Sequence, residues 1–346
     1  MLDFLIIGQG IAGSVLARML EKSGRKFHIV QSDSYPSASR VAAGVWNPIV
    51  VKRFAKTWLA DETIPAAKAF FSEEEDFFQE TFFISTELIK LLSNENEKKQ
   101  MEKRWEQMMP FVEADNSTKV TDGVEAPFGI LRVKEAGYSR IPAYLDACRK
   151  HWIASKNFIK ADFQHRDLKR KDPESWEWNG QTYKQVVFCE GIAARNNPWM
   201  KDLPLSNTKG QVLELSIPDL HLDHILNKQL FVLPQKNGNF RVGSTYEWNT
   251  EDLQPSEEGK AELLSKLQKL LPNKKFEVVQ HEAGGRPTTS DRRPLMGALA
   301  EEGLFAFNGL GSRGVLLVPY LAFCMLEFLN GKKTAIPDEA RLQRFA

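Results

Sequence analysis

Three glycines near the start of the chain have the spacing of a phosphate-binding turn. Gly8, Gly10 and Gly13 form the pattern GxGxxG between an apolar strand predicted at Leu2–Ile7 and a helical stretch predicted at Ser14–Lys22. Gly8 permits the tight turn, Gly10 lets the backbone approach phosphate groups, and Gly13 lets the helix pack closely on the strand. The first N–H groups of the helix carry partial positive charge, which favours a bound anion. We therefore predict that this segment binds the pyrophosphate of a dinucleotide.

The elements that must position this turn alternate between strands and helices at both ends of the chain. Further strands are predicted at Lys26–Val30, Thr81–Leu92, Gly129–Val133, Gln185–Cys189, Lys209–Ser216, Gln229–Pro234 and Asn239–Ser244, the last two joined at Asn237-Gly238. Helices are predicted at Thr57–Phe78, Asn94–Met109, Pro142–His151, Glu257–Leu271 and Val315–Leu329. A block of antiparallel strands between alternating ends predicts an α/β protein with a discontinuous second domain.

Length, charge and cysteine content narrow the class of protein. The chain has 346 residues and a formal net charge of +1, which gives it no electrostatic footprint for nucleic acid or an anionic membrane. Its three cysteines are too few and too scattered for a zinc site or a disulfide framework, so we predict no metal and buried, reduced thiols. No cationic segment precedes the first strand, and the most apolar predicted helix is too short to span a bilayer. These features predict a soluble cytoplasmic protein.

The end of the second strand departs from the pattern of NAD-binding proteins. Those proteins have an acidic side chain there, which holds the ribose hydroxyls. Here the position is Gln31, followed by Ser32 and Asp33. A glutamine side chain can donate to and accept from a hydroxyl but has no charge, so the ribose contact stays open.

A series of later motifs carries a resemblance to a known protein family. In chain order they are VAAGVWNP (41–48), GYSRIPAYL (137–145), FCEG (188–191), KGQVLEL (209–215), VLPQKNGNFRVGSTYEW (232–248), GGRPTTSDRRPLMG (284–297) and NGLGSRGVLLVP (308–319). Together they resemble the D-amino acid oxidase and glycine oxidase family of flavoproteins over almost the whole chain. The resemblance implies FAD as the cofactor, a Rossmann-like domain paired with a sheet-based substrate domain, and amine oxidation as the chemistry.

With this resemblance, the predicted elements divide the chain and assign the cofactor contacts. We expect the FAD-binding domain to comprise residues 1–78, 140–206 and 283–346, and an α+β substrate domain with an antiparallel or mixed sheet to comprise 79–139 and 207–282. The residues expected to contact FAD are Gly8, Gly10, Ile11, Ala12, Gly13, Gln31, Ser32, Ala42, Ala43, Gly44, Gly191, Gly309, Gly311, Ser312, Arg313, Gly314 and Val315. No cysteine or histidine is placed for a covalent link, so FAD is expected to bind noncovalently.

The glycine-rich segment 309–314 has a physical interpretation of its own. It directly precedes an apolar helix and so presents backbone N–H groups and the positive end of a helix dipole. Reduced flavin carries negative charge at its N1–C2=O2 edge, which such a helix start would stabilise. Arg313 would add a full positive charge there, or could face the substrate instead. An ordinary glycine-rich helix entry is the alternative.

Arg286, in the sequence Gly285-Arg286-Pro287, is the residue that the resemblance assigns to the substrate carboxylate. A guanidinium presents two parallel N–H donors to a carboxylate, and this clamp would hold the substrate α-carbon against flavin N5, the hydride acceptor. The alternative is an arginine paired with a nearby acid such as Asp291. Arg292 and Arg293 are either solvated or extend a basic pocket for a more acidic substrate.

Three aromatic residues are candidate components of the substrate pocket. The hydroxyl of Tyr246 would hydrogen-bond a substrate carboxylate, with a buried packing role as the alternative. Trp46 and Trp248 are candidate pocket walls, with core packing as the alternative. None of the histidines has a catalytic placement, and hydride transfer from a neutral amine needs no protein base.

The function predicted from these features is FAD-dependent oxidation of the C–N bond of an amino acid or secondary amine. The imine is then hydrolysed, and O2 or another acceptor takes the electrons. One alternative is oxidation of a carboxymethylaminomethyl group on tRNA, because GLGSRG resembles the flavin domain of a bifunctional wobble-uridine modification enzyme. Against that alternative, the chain has no basic stripe for RNA. A second alternative is a flavoprotein that binds FAD without turning over amines.

Overall fold

The computed structural model describes residues 1–33, 37–121, 124–248 and 250–345, so part of the loop that follows the second strand lies outside the described residues. Its helices are α1 (Ile11–Lys22), α2 (Ala38–Val41), α3 (Ala60–Phe78), α4 (Glu95–Lys103), α5 (Trp105–Met108), α6 (Ile141–Ala154), α7 (Glu257–Leu270) and α8 (Gly314–Leu329). Its strands are β1 (Leu2–Ile7), β2 (Phe27–Gln31), β3 (Val45–Trp46), β4 (Ile49–Val50), β5 (Ala55–Lys56), β6 (Phe83–Ser85), β7 (Leu88–Leu91), β8 (Val112–Asp115), β9 (Lys119–Thr121), β10 (Val124–Glu125), β11 (Ile130–Val133), β12 (Gly137–Ser139), β13 (Phe158–Lys160), β14 (Lys169–Asp172), β15 (Ser175–Trp178), β16 (Gln181–Phe188), β17 (Ser206–Ser216), β18 (Ile225–Asn227), β19 (Phe231–Pro234), β20 (Phe240–Gly243), β21 (Glu247–Trp248), β22 (Glu277–Thr288), β23 (Leu295–Ala298) and β24 (Leu304–Asn308).

An eight-stranded sheet contains the predicted βαβ unit. Strands β13, β2, β1, β16 and β24 run parallel in that spatial order, and β14, β15 and β23 add antiparallel pairs. Within β1, Phe4 and Ile6 belong to one apolar cluster while Leu5 and Ile7 belong to another, so both faces of the sheet are covered. Helix α1 connects β1 to β2, and the glycine turn lies at the carboxyl end of β1, where open parallel sheets bind ligands.

A nine-stranded mixed sheet forms the second large unit of the fold. Its order is β21-β17-β20-β19-β18-β7-β11-β8, with β22 also paired to β17. Only β18 and β7 pair in parallel among the strand pairs described for this sheet. The α/β fold class with a second mixed sheet is confirmed. Strand β22 pairs with β17 from Thr288 opposite Ser206 to Glu277 opposite Ser216. It therefore crosses the domain boundary that we predict between residues 282 and 283, and that boundary stays a prediction.

Two predicted elements are each divided in the structure. The strand predicted at Thr81–Leu92 is two strands, β6 and β7, in different sheets, and the helix predicted at Asn94–Met109 is α4 followed by α5. Between β6 and β7, the Thr86 N–H donates to the Ala136 carbonyl (3.0 Å), which turns the chain from one sheet to the other. A continuous apolar run gives no local signal for such a change of partner, so sequence periodicity missed it.

A buried ion pair ties α1 to α3 beneath the nucleotide-binding unit. The Arg18 and Glu74 side chains are 2% and 0% exposed, and Arg18 Nε lies 2.7 Å from Glu74 Oε2. Lys22 Nζ contacts the other carboxylate oxygen at 2.7 Å, and Arg18 also contacts Glu21. Removing one member of such a pair leaves a buried charge without its partner, which is costly.

Glu74→Gln is expected to lower the free energy of unfolding by about 2–3 kcal/mol, below the usual cost of breaking a buried pair because Glu21 still faces Arg18. Urea unfolding of the variant measures this loss. Glu73→Gln is the matched control: Glu73 is 67% exposed and its ion pair among the described residues is with Lys22 at 2.9 Å, so its loss is expected to stay below about 0.5 kcal/mol. Equal losses for the two variants would contradict the assignment.

The C-terminal apolar helix is longer than the sequence predicts. A 3-10 turn at Gly311–Arg313 leads into α8, so the helical stretch Gly311–Leu329 has 19 residues, and its most apolar window has a mean hydropathy of 1.5. The expectation that this helix is too short to cross a membrane is therefore wrong. Helix α8 packs on α1 and α3, and 56% of its most apolar window is buried inside the protein. A core helix has the same length and composition, so this helix is weak evidence for a membrane span.

Candidate functional site

A cavity of about 610 Å³ extends from the glycine turn after β1 to Arg286 on β22. The predicted site residues on its wall are Gly8, Gly10, Ile11, Ala12, Gln31, Ala42, Ala43, Gly44, Trp46, Gly191, Tyr246, Arg286, Gly311, Ser312, Arg313, Gly314 and Val315. Gly13, Ser32 and Gly309, also predicted to contact the cofactor, are not among its lining residues. The structure therefore brings both glycine-rich segments and the predicted substrate residues to one cavity.

The first glycine turn has the geometry that a dinucleotide requires. Gly8 has φ +105°, and a Cβ there would lie 2.4 Å from the Cys189 carbonyl oxygen. A Cβ on Gly13 would lie 2.0 Å from the Gly8 carbonyl oxygen, so only glycine lets α1 pack this closely on β1. Among the described residues, a Cβ on Gly10 would approach only the Ser39 hydroxyl, at 3.3 Å, which leaves the cavity side of the turn open. These residues fit the pyrophosphate of FAD.

Side chains hold the backbone donors of this turn in place. Ser39 Oγ accepts from the Ile11 N–H (3.1 Å), and Gln31 Oε1 accepts from the Gln9 N–H (2.7 Å). The Gln31 amide also donates to the Ser32 carbonyl (2.6 Å), so it is engaged within the turn. Asp33 is paired with Arg149 and Lys160. Sequence reasoning missed Ser39, although it stands two residues before the VAAG motif.

The second glycine-rich segment lies beside Gly191. Asn308 joins them: its Nδ2 donates to the Gly191 carbonyl (2.8 Å) and its Oδ1 accepts from the Gly309 N–H (2.8 Å). Gly309 has φ +73°, and a Cβ there would lie 3.1 Å from the Leu295 nitrogen, so the glycine is required by the backbone. The segment opens the helical stretch ahead of α8, as the sequence predicts.

The three cysteines are buried and unpaired, and one of them borders the cavity. Cys189 lies against the glycine turn, and burial raises the pKa of its thiol well above the usual range. The thiol is therefore protonated at neutral pH and is a poor nucleophile. Noncovalent binding of FAD stays a prediction.

Arg286 points into the cavity and contacts no carboxylate among the described residues. Its Nη2 donates to Ser244 Oγ (2.8 Å) and its Nη1 approaches the Thr245 carbonyl (3.4 Å). The guanidinium lies 4.4 Å from the centre of the Tyr246 ring. The alternative that Asp291 pairs with Arg286 is wrong, because Asp291 pairs with Arg344 at 2.7 Å.

Gly210 on β17 makes room for this guanidinium. A Cβ at Gly210 would lie 1.9 Å from Arg286 Nη2 and 2.3 Å from its central carbon. The glycine stands in the KGQVLEL motif, but its relation to Arg286 depends on the pairing of β17 with β22, in which Gly210 lies opposite Gly284. Sequence reasoning therefore did not identify it.

Gly210→Ala is expected to displace the Arg286 guanidinium and to lower kcat/KM for carboxylate-bearing substrates by about 10–100-fold, because a small misplacement of a binding group is costly to catalysis. Steady-state kinetics measure this loss, and the flavin absorbance of the purified variant serves as its control. A variant with normal flavin content and unchanged kinetics would contradict this role for Gly210.

Arg313 reaches the same cavity from the 3-10 turn before α8. Its Nη1 donates to Thr57 Oγ1 (2.6 Å) and approaches the Asn47 carbonyl (3.4 Å). Burial lowers the pKa of this guanidinium to about 10, a direction that Arg292 and Arg293 reinforce. The group therefore stays cationic at neutral pH, although its hydrogen-bond acceptors are neutral.

The aromatic candidates have different environments. Trp46 is 2% exposed, lines the cavity and stacks on Phe83 with ring centres 4.4 Å apart, so it both packs in the core and forms a wall. Tyr246 is 57% exposed, which makes the buried packing alternative wrong. Trp248 is 52% exposed and is not among the cavity-lining residues, so it forms neither core nor wall. Its ring instead lies 5.8 Å from the Arg292 guanidinium.

Comparisons with known proteins extend over the whole fold. The uncharacterised oxidoreductase YurR of Bacillus subtilis is 23% identical over 365 residues, which cover 97% of each chain. The bifunctional protein MnmC of Marinobacter nauticus, named for tRNA 5-methylaminomethyl-2-thiouridine biosynthesis, is 23% identical over 360 residues. That match covers 92% of this chain, which spans about half of MnmC (54%). Glycine oxidase from Geobacillus kaustophilus has the same fold, with a TM-score of 0.81 at 20% identity over 97% of this chain and 96% of that one.

The family comparison covers most of the chain. Residues 3–327 match the family described as FAD dependent oxidoreductase (DAO). This range includes both glycine-rich segments, Arg286 and, except for Leu2, the strands of both large sheets. Members of the family are enzymes, so the alternative of a non-catalytic flavoprotein is set aside. The chain belongs to the DAO family of FAD-dependent oxidoreductases, and FAD is its cofactor.

Proposed function

We propose that this enzyme oxidises the C–N bond of a small amine or amino acid that carries a carboxylate. The observation that carries the proposal is Arg286, whose cationic group faces the cavity shared with the glycine turn and, in the described part of the chain, has only neutral hydrogen-bond acceptors. A guanidinium binds a carboxylate through two parallel, charge-assisted hydrogen bonds. Such a clamp would fix the α-carbon of the substrate.

The residues of the chain orient and enclose the substrate in this proposal. Arg286 holds the carboxylate, Tyr246 covers one face of that guanidinium, and the buried wall at Trp46 limits access of water. When bound, FAD supplies the acceptor for the hydride that leaves the α-carbon. The amine nitrogen loses a proton as the C=N bond forms, and water then adds to this bond to release a carbonyl compound and a free amine. We propose O2 or another small acceptor as the final oxidant, and a cytoplasmic location.

An anaerobic screen tests this proposal directly. The holoenzyme is mixed with glycine, sarcosine, D-proline or amines without a carboxylate. The absorbance of the flavin at about 450 nm is followed during each reaction. The proposal predicts bleaching by one or more carboxylate-bearing amines and none by matched amines that lack the carboxylate. A flavin that is reduced by dithionite but by no member of the panel would overturn it.

A tRNA carboxymethylaminomethyl group is the second candidate substrate. The similarity to MnmC favours it, and such a group still presents an amine and a carboxylate to Arg286. Undermodified tRNA added to the same anaerobic assay distinguishes the candidates. Bleaching by tRNA supports the second candidate, whereas a response to free amino acids alone removes it.

A further inference from the structure

Two arginines on the cavity wall lack an acidic partner. Among the described residues, no carboxylate contributes an ion pair to Arg286 or to Arg313, whose acceptors are hydroxyls and backbone carbonyls. Both side chains are half-buried and line the same cavity, and the Arg286 guanidinium lies 4.4 Å from the centre of the Tyr246 ring. The two cations therefore lie on the wall of one cavity, which Tyr246 also lines.

The charged groups around these two arginines add to the excess of positive charge. The Arg293 guanidinium lies 4.9 Å from the centre of the Trp58 ring. Trp58 follows Thr57, whose hydroxyl accepts a hydrogen bond from Arg313. The exposed Arg292 lies over Trp248. The neighbouring Asp291 is held by Arg344, as described above.

Among the described residues, two carboxylates also line the cavity. Glu190 accepts from Asn197 (2.7 Å) and pairs with His165 (2.9 Å), beside Gly191 at the nucleotide end. Glu251 is solvent-exposed. Neither side chain contributes an ion pair to Arg286 or to Arg313. The balance of charge around the two arginines is therefore positive.

Cations that are drawn out of water without a counterion are costly, so proteins normally pair them. Where two unpaired cationic side chains face a cavity, a ligand that carries negative charge can pair with both of them. One carboxylate occupies one guanidinium when it binds through the two-pronged geometry. Two uncompensated guanidiniums on the wall of one cavity thus match two anionic groups.

We propose that the substrate is an amine with two carboxylates, one held by Arg286 and the other by Arg313. The inference rests on the proposed function and specifies its substrate class: a secondary amine that joins a carboxymethyl group to a second carboxylate-bearing carbon. Arg313 then faces the substrate rather than the flavin. Its contact with Thr57 and its nearness to Arg292, Arg293 and Tyr246 support this orientation.

Binding of two inert ligands to the holoenzyme tests this proposal. Thiodiacetate and (methylthio)acetate both lack an oxidisable amine and differ by one carboxylate, and their binding is followed by the shift of the flavin absorbance. Thiodiacetate is expected to bind at least about 10-fold more tightly, because it gains one charge-assisted pair. Arg313→Met is expected to abolish this preference, because it weakens the binding of thiodiacetate more than that of (methylthio)acetate.

Two further variants make the result specific. Arg292→Met removes an exposed cation and is expected to change the preference by less than about threefold. Arg313→Lys keeps the charge without the two-pronged geometry and is expected to retain part of the preference, so it also replaces the methionine variant if that variant does not fold. Wild-type enzyme that binds the two ligands equally would overturn the proposal.

The experiments distinguish a failure of the proposed function from a failure of this inference. If glycine or sarcosine bleaches the flavin but thiodiacetate has no advantage, the function stands and the dicarboxylate class is wrong. If no amine bleaches the flavin, the function itself is wrong. If Arg313→Met weakens the addition of sulfite to the flavin but leaves the ligand preference intact, Arg313 serves the flavin and the inference is overturned.

Discussion

Arg286→Met is expected to lower kcat/KM for carboxylate-bearing amines by about 10³-fold. The variant loses two charge-assisted hydrogen bonds to the carboxylate, each contributing about 1.5–3 kcal/mol, and the sum corresponds to a loss of about 4 kcal/mol in transition-state stabilisation. The free energy of unfolding is expected to stay within about 1 kcal/mol of the parent value, because no ion pair within the described residues is broken. Steady-state kinetics and urea unfolding of the same preparation measure the two quantities.

Two companion variants separate the carboxylate clamp from the charge alone. Arg286→Lys keeps a cation but loses the planar fork, so its kcat/KM is expected to lie between those of the parent and of Arg286→Met. Arg170→Met removes a surface arginine that lies over Trp176, outside the cavity lining, and is expected to leave the kinetics unchanged. If Arg286→Met retains kcat/KM within about twofold of the parent, Arg286 does not hold the substrate.

Gly10→Asp is expected to weaken FAD binding by about 10³-fold while the apoprotein stays folded. Of the residues that the structure describes, a Cβ at Gly10 would approach the Ser39 hydroxyl alone, and a longer side chain would extend into the cavity, where its carboxylate would repel the pyrophosphate. Two like charges about 4 Å apart at an effective dielectric constant of about 20 repel by about 4 kcal/mol. Titration of the apoprotein with FAD, followed by flavin fluorescence, measures the affinity.

The stability of this variant provides the control. Gly10 is the N-cap of α1, a position where aspartate is a favoured residue, so the apoprotein is expected to unfold at the same urea concentration or a higher one. Gly10→Asn has nearly the same shape without the charge and is expected to lose less FAD affinity. Equal losses for the aspartate and asparagine variants would contradict the electrostatic account, and unchanged affinity in both would contradict this location of the pyrophosphate.

The parts of the fold that depend on local sequence were predictable. The β1–α1–β2 unit follows from an apolar run, three glycines and a helical stretch that are adjacent in the chain. The hairpin of β19 and β20 likewise forms around Asn237-Gly238, where Gly238 has φ +82°. In both cases the signal and the structure lie within a few residues of each other.

The parts that depend on partners distant in sequence were not predictable. Asp291 pairs with Arg344, in the C-terminal segment, and not with Arg286. No local sequence pattern relates that segment to residue 291. The space for Arg286 comes from Gly210, 76 positions earlier, through the pairing of β17 with β22. Resemblance to a family identified the arginine, but the residues that hold it emerged only with the register of the sheet.

A crystal structure of the FAD-loaded enzyme with (methylthio)acetate tests the central claim most directly. The account predicts that the ligand carboxylate lies about 2.7–2.9 Å from the Arg286 guanidinium nitrogens, with its methylene carbon facing the flavin ring. A guanidinium turned away from the ring, or a carboxylate bound elsewhere while Arg286 keeps only Ser244 and Thr245 as acceptors, would contradict it.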